Sequence, residues 1–280
     1  MSIPRTFSDI PKVPIAIIIT LLIPIVILPA QVDTPEISIA AETVKYIGSF
    51  PITNSLIMSW VTIALLTIIG ILITYRIRFV PHTLQNIGET IVESGLNFMT
   101  GILGSRRKAE QAFPLVATLF LFILLSNWLG LFPGIGSIGI TGMHNGHEAV
   151  IPLFRSTYAD LNMTLALAAI AVIATHLFAI IAIGKKAHLS KYITFASPIL
   201  FFVGILELFG ELSKIISFSF RLFGNVFAGE VLLIVILGLI PHIAPLPFYG
   251  LEIFVGFIQA LVFSMLTLIF IQVATTEVQH

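Results

Sequence analysis

Five long apolar runs, joined by short basic loops on a 280-residue chain that is 57% hydrophobic and only 10% charged, predict an all-α polytopic membrane protein. Mean hydropathy is +1.06, too apolar for a soluble domain of this length. Fourteen basic residues balance 14 acidic ones, so no basic footprint points to nucleic acid; lipid and other membrane subunits are the expected partners. The sequence contains no cysteine, which excludes disulfides, thiolate metal sites and thiol nucleophiles.

Residues 13 to 30 are apolar but interrupted by Pro14, Pro24 and Pro29, and they follow Arg5 and Lys12. They fit either a signal peptide ending near Ala30 or a short extra span. Both place residues 31 to 54 outside as a surface stretch, with Pro35 and Pro51 in it. Ser55 to Tyr75 is a clear span, closed on the inner side by Arg76 and Arg78. After Pro81, Leu84, Ile87, Ile91, Phe98 and Ile102 recur at helical spacing against Gln85, Glu89, Glu93 and Asn97. That pattern predicts an amphipathic helix lying in the membrane interface, held inside by Arg106, Arg107 and Lys108.

Ala112 to Phe132 returns outward into a glycine-rich loop, PGIGSIGITGMHNGH, with no tidy turn pattern. Asn162 to Gly184 runs inward and ends at Lys185, Lys186, His188 and Lys191, whereas Arg155 is the one basic residue of the outer loop from 133 to 160. The next apolar run, Ile193 to Ile240, would be about 72 Å long as one helix, against a hydrocarbon core of about 30 Å. It therefore either tilts steeply or breaks, with Pro198, Gly204, Gly210, Gly224 and Gly229 as candidate sites. Pro241, Pro245 and Pro247 make an outer turn, and Gly250 to Thr275 comes back inward. The chain divides into an N-terminal segment, 1–47, and a membrane domain, 48–280.

Residues 207 to 230, ELFGELSKIISFSFRLFGNVFAGE, place Glu207, Glu211, Lys214, Arg221 and Glu230 inside that apolar run. A charge at the centre of a membrane helix costs about 2.5–3.5 kcal/mol on insertion scales, which makes each one a functional candidate. Three and four residues either side of Arg221 lie Ser217, Phe218, Gly224 and Asn225, none acidic, so its counter-charge comes from elsewhere. On a helix, Glu207, Glu211, Lys214, Arg221 and Asn225 fall on one stripe, flanked by the small residues Ser217, Gly224 and Ala228 that allow another helix to approach. Glu230 lies nine residues beyond Arg221, about half a turn away, and addresses a different partner. Taken alone, Arg221 also fits a structural role, satisfied by backbone carbonyls within the bundle.

SFRLFGNVFAGE, with Gln259 in the following helix, resembles the signature of subunit a of the F-type rotary ATP synthase. The resemblance extends more weakly over roughly residues 48 to 280, including SNWLGLFP at 126 to 133 and ADLNMTLALA at 159 to 168. It implies a proton-conducting stator whose last two long helices form a tilted hairpin packed on a c-ring, with subunit b of the peripheral stalk and the remaining ATP synthase subunits as partners. The implied setting is the bacterial plasma membrane, with the mitochondrial inner membrane as the alternative. By this resemblance Arg221 faces the ring's ionisable carboxylate. A fixed cation favours the acid's ionised form, while arginine, always charged, cannot itself relay the proton. It would separate two half-channels.

Glu230 and Glu252 each lie eleven residues from Pro241, so a turn there brings them to similar depth. The family commonly carries histidine or another ionisable group at the second position; here both are glutamates, and they are expected to titrate as a unit or to stand as two separately solvated acids. Asn225 and Gln259 match amides near the arginine, set either to position it or to join two helices. Ser217 and Glu207 match inner half-channel positions, with snorkelling the other reading of Glu207. Asp160 and Asn162 open the third span, as part of an outer access route or as a helix cap.

His176 reads best as a packed, hydrogen-bonded histidine. His144, His147 and Glu148 lack the second histidine of a zinc HExxH helix, so no metal is expected. Gly184-Lys185-Lys186 has no Ser or Thr after the lysine, so no nucleotide or other cofactor is expected, and bond chemistry is assigned to partner subunits. The rival reading, a self-contained channel or transporter, would bring an internal repeat with paired broken helices, and the first half has no counterpart of the Arg221 stretch. A purely structural anchor leaves five charges in one apolar run without a purpose.

The basic loops fix a testable orientation. Single cysteines introduced as Ser105→Cys and Ala187→Cys are expected to react only with inner-side reagents, and Gly146→Cys only from outside. Labelling at 187 from outside would overturn the topology.

Overall fold

A computed structural model describes residues 40–75, 83–132, 134–135, 138–144, 147–192, 197–240 and 243–275. The readings placed on residues 13–30, Arg76, Arg78, Gly146 and Pro241 lie outside the described residues. In chain order, the described elements are β1 (Thr43–Ile47), β2 (Phe50–Thr53), α1 (Asn54–Thr74), α2 (Thr83–Leu103), α3 (Arg106–Gly130), β3 (Gly139–His144) and β4 (His147–Pro152). A 3-10 turn (Thr157–Ala159) follows, then α4 (Leu161–Ile183), α5 (Lys185–Ser190), α6 (Pro198–Leu239) and α7 (Pro245–Thr275). Five of these helices, α1, α3, α4, α6 and α7, are long and apolar enough to cross a membrane.

Thr53 starts α1 by accepting the Leu56 amide on its side chain. The hydroxyls of Thr62, Thr67 and Thr74 then bond back to carbonyls four residues earlier, so these polar groups enter an apolar helix already satisfied. Asn54, Ser55, Met58, Ser59 and Thr62 face the bundle, while Ile68, Ile71 and Leu72 stay exposed, as lipid-facing residues should.

The amphipathic helix is α2, and it divides its apolar residues between two neighbours. Met99 and Leu103 are buried with Ala109, Ala112 and Val116 of α3 and Leu268 and Ile271 of α7. Ile87, Ile91 and Phe98 remain open, an apolar face suited to the membrane interface. Arg106 fixes α2 against the start of α3, donating to Glu93 at 2.8 and 3.0 Å, to Asn97 at 2.9 Å and to Glu110 at 3.0 Å. Gly104, at φ 68°, provides the left-handed residue on which the chain reverses between the two helices.

The long C-terminal run does not break. Ser197 caps α6 and Pro198 sits in its first turn, where a missing N–H is harmless, so the proline begins the helix instead of interrupting it. At 42 residues α6 is about 63 Å long, so a straight crossing leaves roughly half of it outside a core of about 30 Å unless it tilts. Its buried face carries Phe218 and Leu222, packed with Phe263 and Ala260 of α7 and with Leu167 and Ala168 of α4. The Phe218 ring stacks on Phe270 at 5.6 Å between centroids.

Two short antiparallel hairpins, β1–β2 and β3–β4, interrupt the helical order. The second lies within the glycine-rich outer loop, with His144 opposite His147 in register. The sequence reading missed it by overlooking Asn145-Gly146, a dipeptide that favours two-residue hairpin turns.

Candidate functional site

The two faces of α6 differ sharply. Phe218, Ser219 and Leu222 are buried against α4 and α7, whereas Glu207, Ser217, Arg221, Gly224, Asn225 and Ala228 are exposed. Arg221 makes no hydrogen bond or ion pair with any described residue. Four residues on, Asn225 Nδ2 donates to Gln259 Oε1 at 2.7 Å, joining α6 to α7 beside the arginine. Gln259 is buried, and its Nε2 has no partner among the described residues.

Beyond the half-turn offset, a second polar cluster gathers toward the C-terminal end of α6. Arg155 Nε donates to Glu230 Oε1 at 3.1 Å and Nη2 to Oε2 at 3.3 Å, and Nη1 reaches the Ala40 carbonyl at 3.1 Å. The guanidinium is buried, so the counter-charge of Glu230 is held rigidly by the loop before the 3-10 turn. That loop sits close because α3 ends in Gly130: a Cβ there would lie 2.7 Å from Ser156 Oγ. Glu252, on α7, lays its carboxylate on Gly229, and any Cβ at 229 would overlap it. Glu252 thus reaches the α6 residue next to Glu230, while the two glutamates face different neighbours.

Asp160 caps α4 through the Asn162 amide at 2.9 Å, and its other oxygen accepts the Ser55 hydroxyl at 3.0 Å. It is buried and occupied as a fastening between α1 and α4, whereas Asn162 is exposed. Two side chains of the SNWLGLFP segment secure α3 to α7 near Glu252: Asn127 Nδ2 donates to the Gly256 carbonyl at 3.2 Å and Trp128 Nε1 to the Ile253 carbonyl at 3.1 Å.

Toward the N-terminal half of α6, Lys214 Nζ donates to Glu211 Oε1 at 2.8 Å and lies 4.6 Å from the centroid of the Phe270 ring. These two charges of the stripe therefore satisfy each other, leaving Glu207 and Arg221 as its open ends.

The family model described as ATP synthase A chain matches residues 56–272 of this sequence. The chain belongs to the ATP synthase A chain family. An ATP synthase subunit a of Geotalea daltonii is 36% identical over 228 residues, covering 80% of this chain and 88% of that protein. A Campylobacter jejuni subunit a is 36% identical over 211 residues, covering 74% and 84% respectively. A subunit a 3 of Pelobacter propionicus is 37% identical over 221 residues, covering 78% and 86%. Bacterial relatives and five apolar helices make this a multi-pass bacterial membrane protein, and they give the mitochondrial alternative no support.

Within this family frame, the open stripe of α6 carries Arg221, Gly224 and Asn225 of SFRLFGN, and the Arg155 pair meets the AGE glutamate. Sequence reasoning missed Arg155 as a partner. The available signal was its isolation as the one basic residue in the outer loop, on the side where Glu230 was expected to emerge.

Removing the guanidinium strands a partly buried carboxylate. Arg155→Gln is expected to cost about 1–3 kcal/mol, read as a lower thermal midpoint of the detergent-solubilised protein. Pairing it with Glu230→Gln should recover most of that loss, and strictly additive losses would show that the pair is not coupled.

Proposed function

We propose that this chain is the proton-conducting stator subunit of an F-type ATP synthase, and that two offset half-channels meet at the open face of α6. The observation that carries this reading is Arg221: a permanent cation in a membrane helix, exposed beside the small residues Gly224 and Ala228, with no partner among the described residues. A partner carrying a carboxylate on a closely packed helix completes that face chemically. The c-ring of the rotor supplies such a carboxylate in this reading, and subunit b of the peripheral stalk holds the stator still.

The residues divide the work by depth. Protons from outside pass the polar outer end, Asp160, Asn162, Glu252 and Glu230, to reach the ring, and leave past Ser217 and Glu207 to the inside. Arg221 keeps the passing ring carboxylate ionised between the two routes and so blocks direct leakage. Asn225 and Gln259, bonded to each other one turn from the arginine, hold the adjoining helix surface in register. The chain moves protons and forms no bonds of its own; nucleotide chemistry lies in other subunits. When ATP hydrolysis drives the rotor, the direction reverses.

Glu230 and Glu252 act in this scheme as one outer proton-accepting unit. The seat of the Glu252 carboxylate on Gly229, the residue next to Glu230, supports this, and the Arg155 guanidinium adds a fixed positive charge beside Glu230.

Arg221→Ala should abolish proton-driven ATP synthesis in vesicles while the complex still assembles. Arg221→Lys should fail nearly as completely, because a lysine in a low-dielectric site loses its proton and lacks the planar fork. Near-normal synthesis by the alanine variant would sink the reading.

Passive proton flux across pH tests the outer pair separately. Glu230→Gln and Glu252→Gln should each slow uptake, the double variant should be little worse than either, and Glu252→His should retain more flux than Glu252→Gln. Additive losses with an unshifted pH profile would mean two independent acids.

A further inference from the structure

At the inner end of the bundle, three titratable side chains from three helices lie in line, and the scheme above leaves them unused. Glu211 comes from α6, His176 from α4 and His188 from the short α5. His176 Nε2 lies 3.6 Å from Glu211 Oε2, and His176 Nδ1 lies 3.2 Å from His188 Nε2. Around them, Tyr192 donates its hydroxyl to Glu211 Oε1 at 3.3 Å and packs edge-on against both imidazoles, while Lys214 holds the same carboxylate oxygen. Lys191 and Glu207 add their charges from the turn after α5 and from α6.

The geometry of the imidazole pair constrains its protons. Two ring nitrogens at hydrogen-bond distance are satisfied when one carries hydrogen and the other does not, so His176 Nδ1 and His188 Nε2 share a single proton. The opposite nitrogen of His188, Nδ1, is buried and has no partner among the described residues, in a side chain that is only 7% exposed. A histidine serving only as a fastener normally bonds fixed donors and acceptors, which select one tautomer. Here the Glu211 carboxylate, which only accepts, faces His176 Nε2 and sets the hydrogen there, so His176 Nδ1 accepts from His188 Nε2 and the buried His188 Nδ1 is left with no fixed group to select its state. Burial holds the proton affinity of His188 below the ordinary histidine range, with His176 and then Lys191 pushing the same way and Glu211 opposing. Tyr192 is held well above its usual range, chiefly by burial and then by Glu211 and Glu207, so it remains a donor throughout.

Glu211 lies ten residues from Arg221 on the same helix, about 15 Å toward the inner end. We propose that Glu211, His176 and His188 form a proton-holding station on the inner route, which takes up one proton released by the ring carboxylate beyond Arg221 and gives it to inner water. The inference rests on the proton-conducting reading and extends it to residues that the reading does not contain. On uptake, the O–H of a ring carboxylate that has passed Arg221 breaks, and an N–H bond forms at the nitrogen of the pair left without hydrogen, which yields a single imidazolium beside the Glu211 carboxylate. On release, that N–H breaks toward water at the inner loop, and the pair returns to one shared proton. Occupancy of the station then depends on inner pH and not on outer pH.

Vesicles containing the whole assembled complex test this, with passive proton flux measured as inner-side pH is varied at fixed outer pH. The unmodified protein should show a step at or below about pH 6.5, the ordinary histidine value. His176→Gln and His188→Gln, which keep hydrogen-bonding capacity but cannot titrate, should each remove that step, and the double variant should lose no more than either single one. The dependence on outer pH should stay in place. Persistence of the step in both single variants, or a fall by the same factor at every inner pH, would overturn the station. Should a variant fail to assemble, ring nitrogen shifts of His176 and His188 in the unmodified complex decide the matter. Two separated, mutually dependent steps support the station, and independent steps, or none between about pH 5 and 8, overturn it. Arg221→Ala in the same vesicles keeps the two ideas apart: its retention of synthesis would remove the channel reading itself. Loss of synthesis together with an inner-pH step that survives in the histidine variants would remove the station alone.

Discussion

The constraint on which the arrangement turns is that a charge inside a bilayer needs a partner. Along α6 the chain supplies one for Glu211, Lys214 and Glu230. Lys214 meets Glu211, and Glu230 meets Arg155. Arg221 has none among the described residues, and it stands on the side of the helix that no other described element covers. Around Arg221 the chain places its small residues, while the opposite side carries Phe218 and Leu222 into the bundle. The interior of the protein thus holds α6 by one face and leaves the other uncovered among the described residues.

Glycine and amide positions make the same distinction between internal packing and open surface. Gly130 and Gly229 are places where another part of this chain, Ser156 and Glu252 respectively, comes too close for a Cβ, and at Gly256 the Asn127 side chain comes within 3.1 Å of where one would lie. Gly210 and Gly224 meet nothing within 4 Å of a built Cβ. Their smallness gains no contact within this chain, which agrees with a helix approaching from outside it.

Much of this was legible in the sequence because hydropathy and charge act locally. Spans could be read to within a few residues at α1 and α4, since a run of apolar residues flanked by Lys or Arg states its own length and side. The stripe on α6 followed from helical spacing alone. What could not be read were contacts made across the fold. Arg155 is 75 residues from Glu230, and His176 is 35 residues from Glu211, so no local pattern joins them. Asp160 was legible as a cap, but its bond to Ser55 spans 105 residues and appears only once α1 and α4 pack together. Pro198 misled in another way. Proline breaks a helix from within but is tolerated in its first turn, and which applies depends on where the helix begins.

The unbroken length of α6 carries a mechanical consequence. If a rotor turns against its open face, the sideways load falls on a beam whose backbone hydrogen bonds run without interruption over 42 residues. Such a beam spreads a push at one point to its supports and does not fold at a joint. Those supports are the aromatic contacts of Phe218 at mid-length, the Asn225–Gln259 bond beside Arg221, and the Arg155 clamp on Glu230 farther out. A hinge at Gly210 or Gly224 would let the arginine yield with each passing carboxylate. A braced beam instead keeps it stationary, and a rotary machine converts motion into work only against a part that does not move.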